Sequence, residues 1–369
     1  MNRRRFLLSG GAAGLLGLAG CTGMDGGDGG TDPTDSPTDA GGSTPERAEQ
    51  ESLPEAVYIQ RYLESMAMQG TAQSGEYAAG VMYSAPHLFW NMSGSSRSET
   101  SIEDGDSVHL MAVVWDPETN TVLPEVGVSV EIVQDGDLVS QEVIYPMLSQ
   151  RMGFHWGGNF GLDGDGEYTA RVNIGGMNLR RSGAFEGRFD DPATIEIPFA
   201  FNEAERSKVT VEELDKYGQR GAVNPMEMGM MPEANAPGRA DLPGEVLAET
   251  TSGDAVFLST RLSGTTAGRF DAANYLAVSA RTPYNGTVLP SMAVEATVIR
   301  DGETVLDGAL TRGLDPELGY HYGTAVEGAL SAGDEGGHGG REAGLPAPTD
   351  RRGAPQAARR AAQDGPRRR

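Results

Sequence analysis

Thr121-Val122-Leu123-Pro124, Asp135-Gly136 and Gly153-Phe154-His155-Trp156-Gly157 return later as Thr287-Val288-Leu289-Pro290, Asp301-Gly302 and Gly319-Tyr320-His321-Tyr322-Gly323. The offset is a constant 166 residues, with no gap between Thr121 and Gly157 or between Thr287 and Gly323. Self-similarity at a fixed spacing sets the number of structural units before any strand is assigned. It gives two related modules in tandem. Each holds one histidine between aromatic residues, bracketed by glycines, which marks a placed side chain.

Working outward from the first copy, short apolar runs alternate with turn residues. They are Tyr77–Tyr83, Ser107–Val114, Val126–Val133, Glu142–Tyr145, Tyr168–Ile174 and Thr194–Phe201. Tyr168-Thr-Ala-Arg-Val-Asn-Ile174 alternates with period two, as a half-buried strand does. Strands at this spacing, separated by glycine-rich turns, predict an antiparallel β-sandwich. The second copy repeats the pattern at Ala255–Arg261, Tyr275–Ala280, Met292–Ile299 and Val305–Leu310. The fold class is therefore all-β, with two tandem immunoglobulin-like antiparallel sandwiches at residues 53–205 and 249–335, each long enough for its own core. Between them, residues 206–248 read as a helix followed by a Met/Pro-rich linker. The helix is expected at Arg206–Tyr217, with Thr210 as cap and Glu213 completing a capping box. No strand pattern follows the second copy. Residues 336–369 carry eight arginines, no lysine and no aromatic residue, and read as a disordered basic tail. The reversed charge suggests a reading-frame shift near Glu335, which would leave the second sandwich without its last strand.

The beginning of the chain reads as a targeting segment. Arg3-Arg4-Arg5-Phe6-Leu7-Leu8 is a twin-arginine start, and a short apolar run leads to Leu18-Ala19-Gly20-Cys21. That run is too short for a comfortable membrane span. Residues 1–21 read as a twin-arginine lipoprotein signal, with Cys21 the lipidated anchor on the extracytoplasmic face of the membrane. Cys21 is also the only cysteine, so no intrachain disulfide can form. Residues 22–52 are a polar, acidic linker with too little apolar surface to order. The net charge is −24, and Lys208 and Lys216 are the only lysines. Excess acid with so little lysine fits a haloarchaeal-type protein solvated in concentrated salt, where self-repulsion is screened. The same acidity argues against nucleic acid as a partner.

Metal chemistry is carried by one string, Tyr145-Pro146-Met147 through Gly153-Phe154-His155-Trp156-Gly157-Gly158-Asn159. A thioether and an imidazole on one loop form a soft-to-borderline donor pair, suited to copper rather than Mg²⁺ or Ca²⁺. The alternative is a hydrogen-bonded loop histidine with Met147 filling a core gap. The string, continued by Leu162-x-Gly164-x-Gly166-x-Tyr168-Thr169, resembles the Fe²⁺-transport protein family. These are periplasmic, often lipid-anchored proteins that bind copper and support iron uptake. The resemblance implies an immunoglobulin-like sandwich with Met147 and His155 as metal ligands. It also implies an early-strand histidine in a His-x-Glu context, for which His87 is the candidate, with Phe89 where the family has Glu. The family's last histidine has no counterpart around Gly175–Asp191. The site would then have three protein ligands, or take a further one from the partner subunit of a homodimer or from the second domain. His109 is expected to sit in an alternating strand instead.

The second copy keeps His321 but has Gly313 in place of Met147. His321 is thus a secondary metal candidate without its thioether. Met226, Met228, Met230 and Met231 form a second thioether cluster, able either to catch Cu(I) or to pack the linker on a domain face. Asn91-Met-Ser93 and Asn285-Gly-Thr287 are glycosylation sequons. No hydrolase elbow, zinc-protease motif, P-loop or disulfide framework is present, so the chain does not read as an enzyme. The resulting expectation is a lipid-anchored protein that binds copper and/or ferrous iron and hands iron to a membrane permease. The alternatives are a cell-surface interaction module whose histidines are merely packed and, more weakly, a secreted oxidoreductase.

Overall fold

The computed structural model describes residues 59–341, apart from 94–95, 220, 253–254, 284, 329 and 332–334. The signal, Cys21, the acidic linker up to residue 58 and the tail from residue 342 lie outside the described residues. No helix among the described residues is long and apolar enough to cross a membrane.

The chain is all-β. Its strands are β1 (Tyr62–Glu64), β2 (Ala67–Ser74), β3 (Tyr77–Ser84), β4 (Phe89–Ser93), β5 (Ser96–Thr100), β6 (Val108–Trp115), β7 (Val128–Gln134), β8 (Asp137–Val143), β9 (Tyr145–Ser149), β10 (Gly153–Phe160) and β11 (Gly166–Ile174). They continue with β12 (Arg180–Arg181), β13 (Ala193–Phe201), β14 (Val211–Glu213), β15 (Glu245–Ser252), β16 (Ala255–Ser263), β17 (Asn274–Arg281), β18 (Ala293–Arg300), β19 (Glu303–Ala309), β20 (Thr311–Asp315), β21 (Gly319–Ala325) and β22 (Glu335–Arg341). The first sandwich pairs a five-stranded sheet, β2-β3-β6-β10-β9, with a four-stranded one, β13-β11-β7-β8. The second pairs a six-stranded sheet, β12-β20-β21-β17-β16-β15, with β19-β18-β22.

The repeated Asp-Gly has a local cause. Asp135 and Gly136 both have positive φ, 52° and 90°, and so do Asp301 and Gly302, at 50° and 81°. A two-residue hairpin needs positive φ at both central positions, and Asp-Gly supplies it at low cost. It turns β7 into β8 and β18 into β19. Alternating residues then face inward. Tyr83 of β3 meets Phe199 and Phe201 of the opposite sheet edge-on, at 6.4 and 6.0 Å between ring centroids. Such pairs contribute about 0.5–1.5 kcal/mol beyond the area they bury.

Three expectations change. The segment after Phe201 forms only a short helix, Glu203–Arg206, capped by the Asn202 side chain. Thr210 does not cap a helix. Its backbone N–H donates to Ser65 Oγ at 2.7 Å, and Val211–Glu213 pairs with β1. Long-range strand pairing outweighs the local capping pattern. The second sandwich does gain a strand at Glu335–Arg341, where none was expected. β22 lies on β18 with Val294 opposite Gly340, the register in which Val128 faces Ile174. Among the described residues it is a counterpart of β13 that the second copy lacks. Nor are the two cores separate. One contiguous cluster of buried apolar side chains runs from Tyr83 and Leu110 through Met228, Met231 and Ala234 to Val278 and Tyr322. β12 adds in parallel to β20 of the second sandwich, and Glu125 accepts from Arg312 and Tyr320.

Candidate metal centre

The site is built on the outward face of the five-stranded sheet. Leu110 of β6 pairs with Tyr83, which points into the sandwich, so His109 on the same strand points outward. On β10 the same alternation sets His155, Gly157 and Asn159 on one face, with Asn159 opposite His109. Met147 of β9 is the direct cross-strand partner of His155. The string read as a loop is therefore a hairpin, with both donors held by ladder hydrogen bonds. His87 comes from the segment between β3 and β4 rather than from a strand. Pro86 has no backbone N–H to continue the β3 ladder.

This outward face is covered by the segment thought to be a linker. The Met231 side chain lies against Gly80 of β3, and Met226 N–H donates to the Arg151 carbonyl at 2.9 Å. His87, His109, His155 and Met147 are all buried, none more than 2% exposed. The His87 and His109 rings lie 3.8 Å apart between centroids, and Phe89 meets His109 edge-on at 5.6 Å.

Hydrogen bonding fixes the tautomers. Nδ1 of His87 bonds the Ala85 carbonyl at 3.1 Å, Nδ1 of His155 bonds the Gly153 carbonyl at 3.1 Å, and Nδ1 of His109 bonds Asn159 Oδ1 at 2.9 Å. Each acceptor is an oxygen without a proton, so each Nδ1 carries the hydrogen and each Nε2 the lone pair. Asn159 Nδ2 donates to the His87 carbonyl at 3.0 Å, which aims its oxygen at His109 and ties the two histidines together. Nε2 of His87 and Nε2 of His109 are buried without a hydrogen-bond partner. Orphaned buried acceptors are costly and call for an explanation. Burial holds His87 and His155 down to about 4, partly offset in each by the carbonyl bond. His109 is pushed well below its usual range by burial and then by His87. All three rings are neutral ligand-type imidazoles at neutral pH.

Gly157 forms a cradle beneath them. A Cβ at this residue would lie 2.6 Å from His109 Nε2 and 2.8 Å from Met147 Sδ. Two donor atoms thus converge over a position that has no side chain, no more than about 5.4 Å from each other. A metal about 2.0 Å from nitrogen and about 2.3 Å from sulfur spans up to about 4.3 Å. A side-chain adjustment of about an ångström closes that gap. Among the described residues no group of three or more His, Cys, Asp and Glu side chains forms a cation cage. That holds for the three histidines alone; what the site adds is the thioether of Met147, and imidazole with thioether is a donor pair whose softness fits copper.

Met147, His155 and His87 are therefore brought to the same face of the sheet. His109 joins them, although it was placed in a strand away from the site. It occupies that strand and still reaches the cluster, because β6 lies next to β10. The second copy is sealed. Tyr275 of β17 stands 166 residues after His109, and its ring carbon Cζ would lie 2.5 Å from a Cβ at Gly323, the counterpart of Gly157. The Tyr275 hydroxyl bonds His321 Nε2 at 3.3 Å, while His321 Nδ1 bonds the Gly319 carbonyl. Phe270 stacks on Tyr275 at 4.0 Å. His321 thus has a partner at each ring nitrogen, and the place over Gly323 is taken by the Tyr275 ring. The methionine cluster is likewise used for packing. Met228 and Met231 belong to the core, Met226 packs against it, and Met230 is exposed. The Asn285 sequon is buried in a contact, since Asn285 Nδ2 donates to the Gln150 carbonyl at 2.8 Å and Thr287 is only 3% exposed. Asn91 donates to Thr100 Oγ1 across the β4–β5 hairpin.

A family model described as a domain of unknown function, DUF7350, matches residues 240–336, about a quarter of the chain. No curated protein matches. Among solved structures, FetP of uropathogenic E. coli strain F11 is 18% identical over 38% of this chain and 96% of that one, with a TM-score of 0.27. A copper-bound variant of FetP gives 18% identity, 38% and 97% coverage and a TM-score of 0.27. A copper-bound variant of Campylobacter jejuni P19 is 16% identical over 38% of this chain and 98% of that one, with a TM-score of 0.29.

Proposed function

We propose that this protein binds copper outside the cytoplasm through His87, His109, His155 and Met147. The observation that carries the reading is the cradle over Gly157. A buried imidazole nitrogen and a buried thioether sulfur converge over Gly157, the one residue there without a side chain, and Nε2 of His87 and Nε2 of His109 have no partner. Orphaned buried acceptors are costly, and a bound ion would offset that cost. When bound, copper supplies a redox-capable ion held by soft, neutral donors. The residues hold it and exclude water; Asn159 and the carbonyls of Ala85 and Gly153 keep the Nε2 lone pairs available.

The finer reading is a lipid-anchored carrier, not an enzyme, that supports iron uptake by passing iron to a membrane permease. Its support is the Pro146-Met147 to Asn159 string and the signal ending in Cys21. The test is copper titration of the mature chain in high salt, for the wild type, Met147→Leu and His155→Ala. The expected result is one copper per chain in the wild type, at least a hundredfold weaker in both variants, with unchanged circular dichroism. A folded wild type that binds no copper would return the sandwiches to a role as interaction modules.

A further inference from the structure

We propose that Met111 is a second thioether ligand of this site, and that two sulfurs set it for the cuprous ion. The inference rests on the copper reading above. Met111 lies two residues after His109 on β6, so it shares the outward face. It is the direct cross-strand partner of Gly157, the residue that forms the cradle. It is fully buried. With no side chain on Gly157, the volume beside Met111 on that face is bordered by His109 Nε2 and Met147 Sδ. Met111 and Met147 therefore flank the cradle from neighbouring strands on either side of β10.

The second copy supplies an internal comparison. Its residue at the same place in the repeat is Ala277, packed with Tyr275, Phe270 and Leu262 in a small apolar cluster. Where a phenol stands over the glycine, the thioether is absent; where an imidazole nitrogen and the Met147 sulfur stand over it, it is present. Charge favours the same ion. The donors are neutral, and burial penalises an ion by roughly the square of its charge. A monovalent ion is the easier one to hold there, and thioethers prefer Cu(I).

Two measurements test this on the mature full-length protein. X-ray absorption of the Cu(I)-loaded wild type counts sulfur neighbours directly and needs no variant. Competition against colorimetric chelators gives Cu(I) and Cu(II) affinities for the wild type and the near-isosteric Met111→Leu. Two sulfurs are expected in the wild type. Met111→Leu should lose about tenfold or more in Cu(I) affinity and less than threefold in Cu(II) affinity. A tenfold change in that ratio is 59 mV for one electron. One sulfur in the wild type overturns the proposal, as does an equal effect of Met111→Leu on both ions. Copper binding that is lost in Met147→Leu and untouched in Met111→Leu overturns this inference alone. No binding of either ion by the wild type overturns the copper reading and this with it.

Discussion

Replacing Gly157 with Ala adds one methyl group at the point where the proposed donors meet. That methyl would lie 2.6 Å from His109 Nε2 and 2.8 Å from Met147 Sδ, where ordinary contact begins near 3.4 Å. The ring must retreat by about 0.8 Å and the sulfur by about 0.6 Å. Met147 can do so by rotating, but His109 is held by Asn159 and packed against the tilted ring of His87. Overpacking of this size costs about 1–3 kcal/mol, partly offset by about 0.4–1 kcal/mol from the lower entropy of the unfolded chain. A net loss of about 1–2 kcal/mol leaves a folded protein. Metal binding suffers more, because the methyl pushes apart the two donor atoms that would hold the ion. At least a hundredfold weaker copper binding is expected, about 2.7 kcal/mol. Denaturant unfolding of the apoprotein and copper competition measure the two effects separately. Gly323→Ala in the second copy is the control. It collides with the Tyr275 ring and should lower stability while leaving copper affinity unchanged. Gly157→Ala with wild-type copper affinity would refute the cradle as the site.

His109→Ala should weaken copper binding at least tenfold, whereas His321→Ala should leave it within twofold and lower stability instead; metal competition on both variants checks this. Acid should destabilise the apoprotein over a defined window. His87, His155 and His321 are held near 4 in the fold against an ordinary value of 6.5. The unfolded chain therefore takes up protons first as pH falls. Stability is complete above about pH 6.5 and is lost towards pH 4, at about 1.4 kcal/mol per pH unit for each histidine. Urea midpoints that do not move between pH 7 and pH 5 would refute the burial of neutral rings. Asp116 is fully buried and accepts from Arg188 and from Thr119 at both its N–H and its Oγ1. Asp116→Ala should cost about 3 kcal/mol by leaving those donors without their acceptor, read from chemical denaturation.

What could be read in the sequence follows from how local the cause is. The Asp-Gly hairpins and the bracketed histidines are written within a few residues, and the repeat doubles the signal. His109 was hidden because its partners lie across strands, at Asn159 and Gly157, on the face opposite the sandwich core. A usable signal existed nonetheless. Extending the offset of 166 upstream sets His109 against Tyr275 and Met111 against Ala277. Copies that agree at His155 and His321 but differ at those columns mark where the two copies part in what stands over the glycine. The helix at Arg206–Tyr217 was misread because a capping box is a local preference, while the pairing of Val211–Glu213 with Tyr62–Glu64 spans the whole first sandwich. β22 was missed because Gly336, Gly337, Gly339 and Gly340 carry no alternation to read; its register comes from β18.

The chemistry of the donors fits the charge of the chain. With a net charge of −24 the surface is a field of carboxylates, and hard divalent cations in salt will occupy such groups wherever they cluster. A site meant to select copper gains nothing from one more carboxylate. It gains selectivity from donors that hard cations bind poorly, and from burial that removes competition by water. Imidazoles held neutral by hydrogen bonds and thioethers from facing strands meet both needs. The same logic explains why the second copy needs no ion. Tyr275 fills the cradle and caps His321 Nε2, so no buried acceptor is orphaned there. In the first copy Nε2 of His87 and Nε2 of His109 stay buried without a partner, a polar cost that a soft ion would offset.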